Sequence, residues 1–255
     1  MSHTSKRFLE RRLRKKVGQA IHDYRMIEPG DKVLVAISGG KDSIVMMKIL
    51  VALKEAAPLE FELIPVHVKT GYDVGFERVS AWIHENLGYK VLVCDGYISQ
   101  IMEAVSDPEK SPCALCSRLR RGKIYGLAEE MGAMSIALGH HLDDIIETFL
   151  LRSFYTGQLG AMAPVRRSDD HKNRIIRPLA YCTTELITAY YAHLAIEPVE
   201  IRCPIRPDSK RGLIRDFIKT MEKDIPFIKH SMFAALGNVD MKSLCIKEKT
   251  GADRN

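Results

Sequence analysis

Residues 32–37, KVLVAI, form a strand-length apolar run that stops on Ser38-Gly39-Gly40-Lys41-Asp42-Ser43 and resumes at once as a helix-length apolar run to about Ala56. A buried strand that breaks on glycine and restarts as a helix is half of a strand–helix–strand unit, and the chain repeats that alternation. FELIPVHV (61–68), YKVLVCD (89–95) and MSIALGH (134–140) read as further strands, with helices expected over 76–87, about 114–131 and 143 to about 154. Strands so rich in Val, Ile and Leu belong to a parallel sheet covered on both faces. The fold class expected is α/β, a doubly wound parallel sheet that takes its ligands at the carboxyl ends of the strands.

Two segments flank this unit. Residues 8–24 carry Leu9, Leu13, Val17, Ala20, Ile21 and Tyr24 at helical spacing, an amphipathic helix with a strongly basic outer face, followed by a turn at EPGD, 28–31. From about 178 the pattern turns helical, over 183–195, 208–223 and 227–237, with no clear strand. The division expected is a basic N-terminal extension (1–28), an α/β domain (29–178) and a smaller helical C-terminal part (179–255).

No apolar run approaches the ~20 residues needed to cross a bilayer. The start, MSHTSKRFLERRLRKK, has charge without the apolar stretch of a secretory signal, so the cytoplasm is the expected compartment and no membrane partner is expected. The net charge of +6 is unevenly spread. Basic groups gather in the first sixteen residues, at Arg118/Arg120/Arg121/Lys123, at Arg166/Arg167/Lys172/Arg174/Arg177 and at Arg202/Arg206/Lys210/Arg211/Arg215. One such run is ordinarily a solvated helix face; together they point to a polyanionic partner.

In Ser38–Ser43 the glycines let backbone N–H groups approach an anion, the helix start adds partial positive charge, and Lys41 supplies a point charge for phosphate. A plain turn with Asp42 or Ser43 as cap would explain one glycine and no lysine. The Walker spacing is not met, because only the adjacent pair of glycines precedes the lysine, which sets aside a kinase or GTPase loop.

The motif SGGKDS after an apolar strand resembles the PP-loop of the ATP pyrophosphatases, Rossmann-like enzymes that cleave ATP between the α- and β-phosphates and transfer AMP to a substrate oxygen. PCALCSRLRRGKIYG (112–126), LGHHLDDIIET (138–148), FYTGQLGAMAP (154–164) and IIRPLAYC (175–182) extend the likeness, from about residue 8 to 245, to the tRNA 2-thiocytidine synthetases. That resemblance implies adenylation of C2 of a cytidine in the tRNA anticodon loop, expected at position 32, and displacement of AMP by sulfur. It implies ATP, Mg²⁺ and a [4Fe-4S] cluster with one iron open to sulfur, a cysteine desulfurase as sulfur source, and a cytoplasmic homodimer. Adenylation makes a leaving group of an oxygen that is otherwise a poor one, and a soft sulfur nucleophile suits a soft iron site.

Carried over residue by residue, Ala36, Ser38, Gly39, Gly40, Lys41, Asp42, Ser43, Val68 and Gly139 would hold ATP, and Asp144 would be the catalytic carboxylate with Lys41 and Arg120 in support. Cys113 and Cys116 lie three apart, so the first turn of a helix presents both thiolates to one cluster, and Cys203 matches the family's third ligand. One form of the pattern has a further cysteine three residues on, where this chain has Arg206. Cys94, Cys182 and Cys245 remain other candidates, Cys94 being read as a buried small residue.

Competing readings stand beside these. Structural zinc wants four ligands, typically a second C-x-x-C or paired histidines, which this chain does not offer. Asp143 is equally a helix cap, and His140 and His141, if adjacent in a strand, would face opposite sides, leaving one to pack. Phe154, Tyr155 and Met162 read as core by default and as a stack for a splayed-out base otherwise. The rival functions are 2-thiouridine or lysidine formation on the same fold, and a non-catalytic iron–sulfur RNA-binding protein.

Overall fold

The computed structural model describes residues 5–56, 59–104, 112–197, 199–201 and 209–245, with the backbone alone at 112–114, 201 and 209. Cys203, Arg202 and Arg206 therefore lie outside the described residues, as does the side chain of Cys113.

The central strand is β1 (Lys32–Ala36), and its alternation divides the interior in two. Val33, Val35 and Ile37 point to one face, where α1 (Lys6–Asp23), α2 (Lys41–Ala56), α3 (Phe76–Leu87) and α7 (Thr184–Tyr191) bury their apolar sides. Leu34 and Ala36 point to the other, against α4 (Ile98–Ala104) and α5 (Pro112–Glu130). A strand covered on both faces has no polar side, which is why KVLVA reads as continuous apolar sequence.

The sheet order is β4-β2-β1-β5-β7-β6, with β2 at Glu62–Lys69, β4 at Leu92–Asp95, β5 at Ser135–Ala137, β7 at Arg174–Ile176 and β6 at Val165–Arg167. The chain leaves β1 toward β2 and β4, then crosses back to lay β5 on the opposite side of β1, with Leu34 opposite Ile64 on one flank and Ile136 on the other. That reversal parts the loops after β1 and β5 and makes the crevice in which doubly wound sheets bind ligands. α6 (Leu142–Thr156) follows β5, and its Leu142, Ile146 and Leu150 pack on Ile214 and Ile218 of α8 (Ser209–Met221). α9 (Ile228–Gly237) closes that side.

The expected doubly wound α/β sheet is present, with departures. The sheet extends beyond the expected strands through β7 and the antiparallel edge strand β6, three-residue strands rich in arginine that carry little apolar signal. The region after 178 is not free of strand: β8 (Glu200–Ile201) pairs antiparallel with β3 (Asp73–Val74). β5 ends at Ala137, so His140 and His141 lie beyond the strand and its facing rule does not govern them.

α1 begins at an N-cap, Ser5, whose hydroxyl accepts from the Phe8 N–H at 3.3 Å. Leu9, Leu13, Val17 and Ala20 bury, and Lys6, Arg7, Arg11, Arg12 and Lys15 remain exposed, as the periodicity requires. Among the described residues no helix is long and apolar enough to cross a membrane.

Candidate functional site

The loop after β1 is held from within by two serines. Ser43 Oγ donates to the Gly40 carbonyl at 2.9 Å and accepts from the Ser38 N–H and Ser38 Oγ, each at 3.1 Å. The Gly40 N–H in turn donates to Ser38 Oγ at 3.3 Å. Gly39 sits at φ +84°, and a Cβ there would fall 2.3 Å from Val199 Cγ2, so glycine is required by both conformation and space. The Gly39 carbonyl accepts from the Val199 N–H at 3.1 Å, which ties the loop to the chain entering β8. α2 starts at Lys41, so its first-turn N–H groups open at the crevice, and Lys41 Nζ rests on Asp42 Oδ1 at 2.9 Å.

The turn after β5 meets this loop at backbone distance. A Cβ on Gly139 would lie 3.1 Å from the Ser43 nitrogen, so a side chain there would press on the start of α2. Beyond it, the His141 N–H donates to Asp144 Oδ2 at 3.1 Å, capping α6. The His141 ring lies among three carboxylates, with Nε2 3.8 Å from Asp42 and 3.5 Å from Asp144, and Nδ1 3.5 Å from Asp143. Burial opposes its protonation, yet the Asp143 hydrogen bond and the neighbouring negative charges raise its pKa above the ordinary value. His140 behaves oppositely: burial and the nearby Arg177 charge push its pKa down to about 4.

The adjacent aspartates separate by environment. Asp143 is buried, accepting from the Thr184 N–H and lying 2.8 Å from Lys229 Nζ, which also reaches Glu185 at 2.9 Å and Glu222 at 3.1 Å. Burial would raise the Asp143 pKa; the hydrogen bonds from His141, Lys229 and Thr184 outweigh it and hold the carboxyl well below its usual range. Asp143 therefore fastens α6 to α7 and α9 instead of serving as the plain helix cap weighed from sequence. Asp144 keeps a partly open side chain toward the crevice, 3.6 Å from Arg211. Arg211 and Arg215 both bind Glu147, at 2.9 and 2.7 Å, one turn further along α6.

The other wall is built around Asp73. Its carboxylate accepts from the Thr70 N–H at 2.6 Å and Thr70 Oγ1 at 2.9 Å, closing the turn after β2. Arg120 is pushed down in pKa by burial, against which the charges of Asp73 and Cys116 raise it, so guanidinium, carboxylate and thiol share one neighbourhood. Asp73 pairs in register with Ile201, which brings the chain to within two residues of Cys203 at this same wall. Cys116 packs against the second core, which includes Ala36 and Val68 near the carboxyl ends of β1 and β2. Cys94 is half-buried against that core, Cys182 is fully buried with its thiol pushed up to about 12 by burial, and Cys245 is exposed. Among the described residues no group of three His, Cys, Asp or Glu side chains is arranged to hold a metal ion.

Several arginines that the composition offered to a polyanion are engaged inside the fold. Arg174 bonds Glu28 at 2.6 Å and Asp31 at 2.5 Å, and Arg177 is buried with Nη1 donating to the Ala163 carbonyl. The default core reading of Phe154 and Tyr155 is overturned: both rings lie at the surface, where they meet Phe217 and Lys210 of α8 and remain exposed to solvent. Asp73, Glu147 and Lys229 carry no expectation from the sequence, and Arg211, grouped there with the basic clusters, is bound to Glu147. Of the first three only Asp73 left a signal, in the Thr70-Gly71-Tyr72-Asp73 turn at a carboxyl strand end.

The PP-loop domain family matches residues 9–221. A tRNA-cytidine(32) 2-sulfurtransferase of Teredinibacter turnerae is 42% identical over 237 residues, covering 92% of this chain and 78% of that protein. Its counterpart in Pseudomonas putida (strain W619) is 40% identical over 249 residues, covering 97% and 88%. Among solved structures, the U34-tRNA thiolase NcsA from Methanococcus maripaludis with its [4Fe-4S] cluster aligns at a TM-score of 0.75 and 20% identity, over 91% of this chain and 79% of that one, a likeness of fold.

The depressed Asp143 pKa fixes the sign of one pH dependence. Its contribution to stability is present above the ordinary carboxylate value of about 4 and is lost as the pH falls through the folded value. Lys229→Met removes a partner and brings the folded pKa back up, so the midpoint of acid unfolding, followed by circular dichroism, should move to higher pH than in wild type.

Proposed function

We propose that this chain, which belongs to the tRNA-cytidine(32) 2-sulfurtransferase family of PP-loop proteins, activates C2 of a tRNA cytidine with ATP and replaces its oxygen by sulfur. The observation that carries the chemistry is the meeting of the Ser38–Ser43 loop with the Gly139–Asp144 turn, with the Asp73–Arg120–Cys116 wall beside them.

The triphosphate lies on the first turn of α2. Ser38, Gly39, Gly40 and Ser43 shape the cradle, and Lys41 turns from Asp42 to the phosphates. Ala36 and Val68 back the adenosine from the ends of β1 and β2. Asp42 and Asp144, both near His141 Nε2, are the carboxylates that would hold Mg²⁺, which would neutralise phosphate charge there. Asp144 orients the cytidine base so that its C2 oxygen attacks the α-phosphorus, and pyrophosphate leaves toward Lys41. Arg120, desolvated at the wall, steadies the negative charge that develops.

Cys113, Cys116 and Cys203 are the residues that would hold a [4Fe-4S] cluster. Three soft thiolates suit iron, and β8, the last described strand before Cys203 in the chain, pairs with β3 at Asp73. When bound, the cluster supplies an open iron position to a sulfur nucleophile. The exposed face of α1 takes the tRNA backbone, Arg7, Arg11, Arg14 and Lys15 lining a concave surface with Glu10 and Leu53. Family resemblance alone supports a cysteine desulfurase as donor, a homodimer and a cytoplasmic setting.

Three variants test separate parts of this reading. Gly39→Ala, which forces an alanine to φ +84° against Val199, should weaken ATP binding by about tenfold or more. Asp144→Asn should fold and bind ATP, with 2-thiocytidine formation falling by about 10²-fold or more, measured by mass spectrometry of digested tRNA. Cys203→Ala, purified without oxygen, should lose iron and sulfide together with thiolation. Cluster content equal to wild type would remove Cys203 from the ligand set.

A further inference from the structure

α6 and α8 pack against each other, and polar and aromatic contacts join them outside their apolar seam. Asp144 faces Arg211 at 3.6 Å, Glu147 meets Arg215 at 2.7 Å, and Phe154 meets Phe217 with ring centroids 5.9 Å apart at 77°. The aromatic pair thus stands at the far end of the helix whose first turn carries the candidate catalytic carboxylate. Ten residues of helix separate Asp144 from Phe154, about 15 Å at ~1.5 Å per residue.

Both rings stand in water, Phe154 58% and Phe217 44% exposed. Tyr155 is exposed beside them with Lys210 Nζ 4.9 Å from its ring centre, and exposed Leu213 shares the Phe217 face of α8 one turn earlier. A folded chain rarely leaves such a group uncovered without a partner. The charges choose between partners. Arg211 and Arg215 of α8 are engaged by Glu147, but Lys210 and Lys219 stand on the same helix with Asp216 as its acidic residue. Arg152 is exposed on α6, and lysine is depleted from interface cores. The core of a subunit interface is depleted of charge, whereas aromatic faces interleaved with cations are the surface that single-stranded nucleic acid prefers.

Resting on the RNA substrate proposed above, we infer that Phe154 and Phe217, with Tyr155 and Lys210 beside them, form a stacking platform for unpaired bases of the tRNA loop about four nucleotides from the target cytidine. Chemistry at C2 requires the target base to leave its stack, which strands its neighbours without a stacking partner. At ~3.4 Å per stacked nucleotide the platform lies about four nucleotides from Asp144. It replaces the stacking that the loop gives up and selects an open loop over a paired stem.

The probe is a tRNA transcript with 2-aminopurine at an unpaired loop position about four nucleotides from the target cytidine, and the comparison ligand is a blunt duplex of the same stem. Wild-type protein should quench the fluorescence on binding. The double variant Phe154→Leu, Phe217→Leu keeps the apolar bulk and loses the π-faces. It should lose the quench and bind the tRNA about tenfold or more weakly, with duplex binding unchanged. Phe217→Trp should keep both, which separates lost stacking from lost folding. Quench and affinity equal to wild type in the double variant would overturn the platform and leave the sulfurtransferase reading standing. So would a double variant that sediments as monomer where wild type is a dimer while the quench persists, since the face would then be a subunit contact. Wild-type protein that binds no tRNA would overturn the RNA reading and the platform together.

Discussion

The approach of Gly139 to the start of α2 is the contact on which the rest of the crevice depends. A Cβ at Gly139 would stand 3.1 Å from the Ser43 nitrogen. The turn after β5 can therefore lie against the loop after β1 only because neither brings a side chain between them. Sheet topology supplies the other half of the condition, since β5 flanks β1 directly and the two loops emerge at the reversal of strand order. With both in place, a lysine, an anion cradle and a carboxylate face one volume, although about a hundred residues separate Lys41 from Asp144 in the chain.

The charges around α6 explain how that volume stays in shape. Lys229 is buried against Asp143, Glu185 and Glu222, and Glu147 is buried against Arg211 and Arg215. Buried ion pairs contribute little net stability, because desolvation cancels much of the attraction, but breaking one leaves an uncompensated charge. Their effect is to make alternative placements of α8 and α9 costly. The arginines on Glu147 hold α8 to α6, and β8 is held by its pairing with β3.

Local chemistry was legible in the sequence and long-range pairing was not. SGGKDS declared an anion loop because strand, glycines, lysine and helix start are contiguous, and the α1 periodicity declared its buried face through Leu9, Leu13 and Val17. β6 and β7 were silent because three-residue strands written Val-Arg-Arg and Arg-Ile-Ile offer no period to read. Arg174 and Arg177 looked like surface charge because composition does not say which way a side chain turns; Asp31 and the Ala163 carbonyl, far off in sequence or out of register, decided that. Asp143 and Asp144 are chemically identical neighbours, and only the arrival of Lys229 and the Thr184 N–H on one of them separates an anchoring carboxylate from a candidate catalytic one.

The measurement closest to the central claim follows the oxygen that is replaced. With tRNA carrying ¹⁸O at C2 of the target cytidine, a single turnover with ATP and a sulfide source should release AMP containing the label, together with unlabelled pyrophosphate. Label that appears in phosphate with ADP as the nucleotide product, or AMP whose new oxygen comes from water, would contradict adenylation at that oxygen and with it the role assigned to the crevice between β1 and β5.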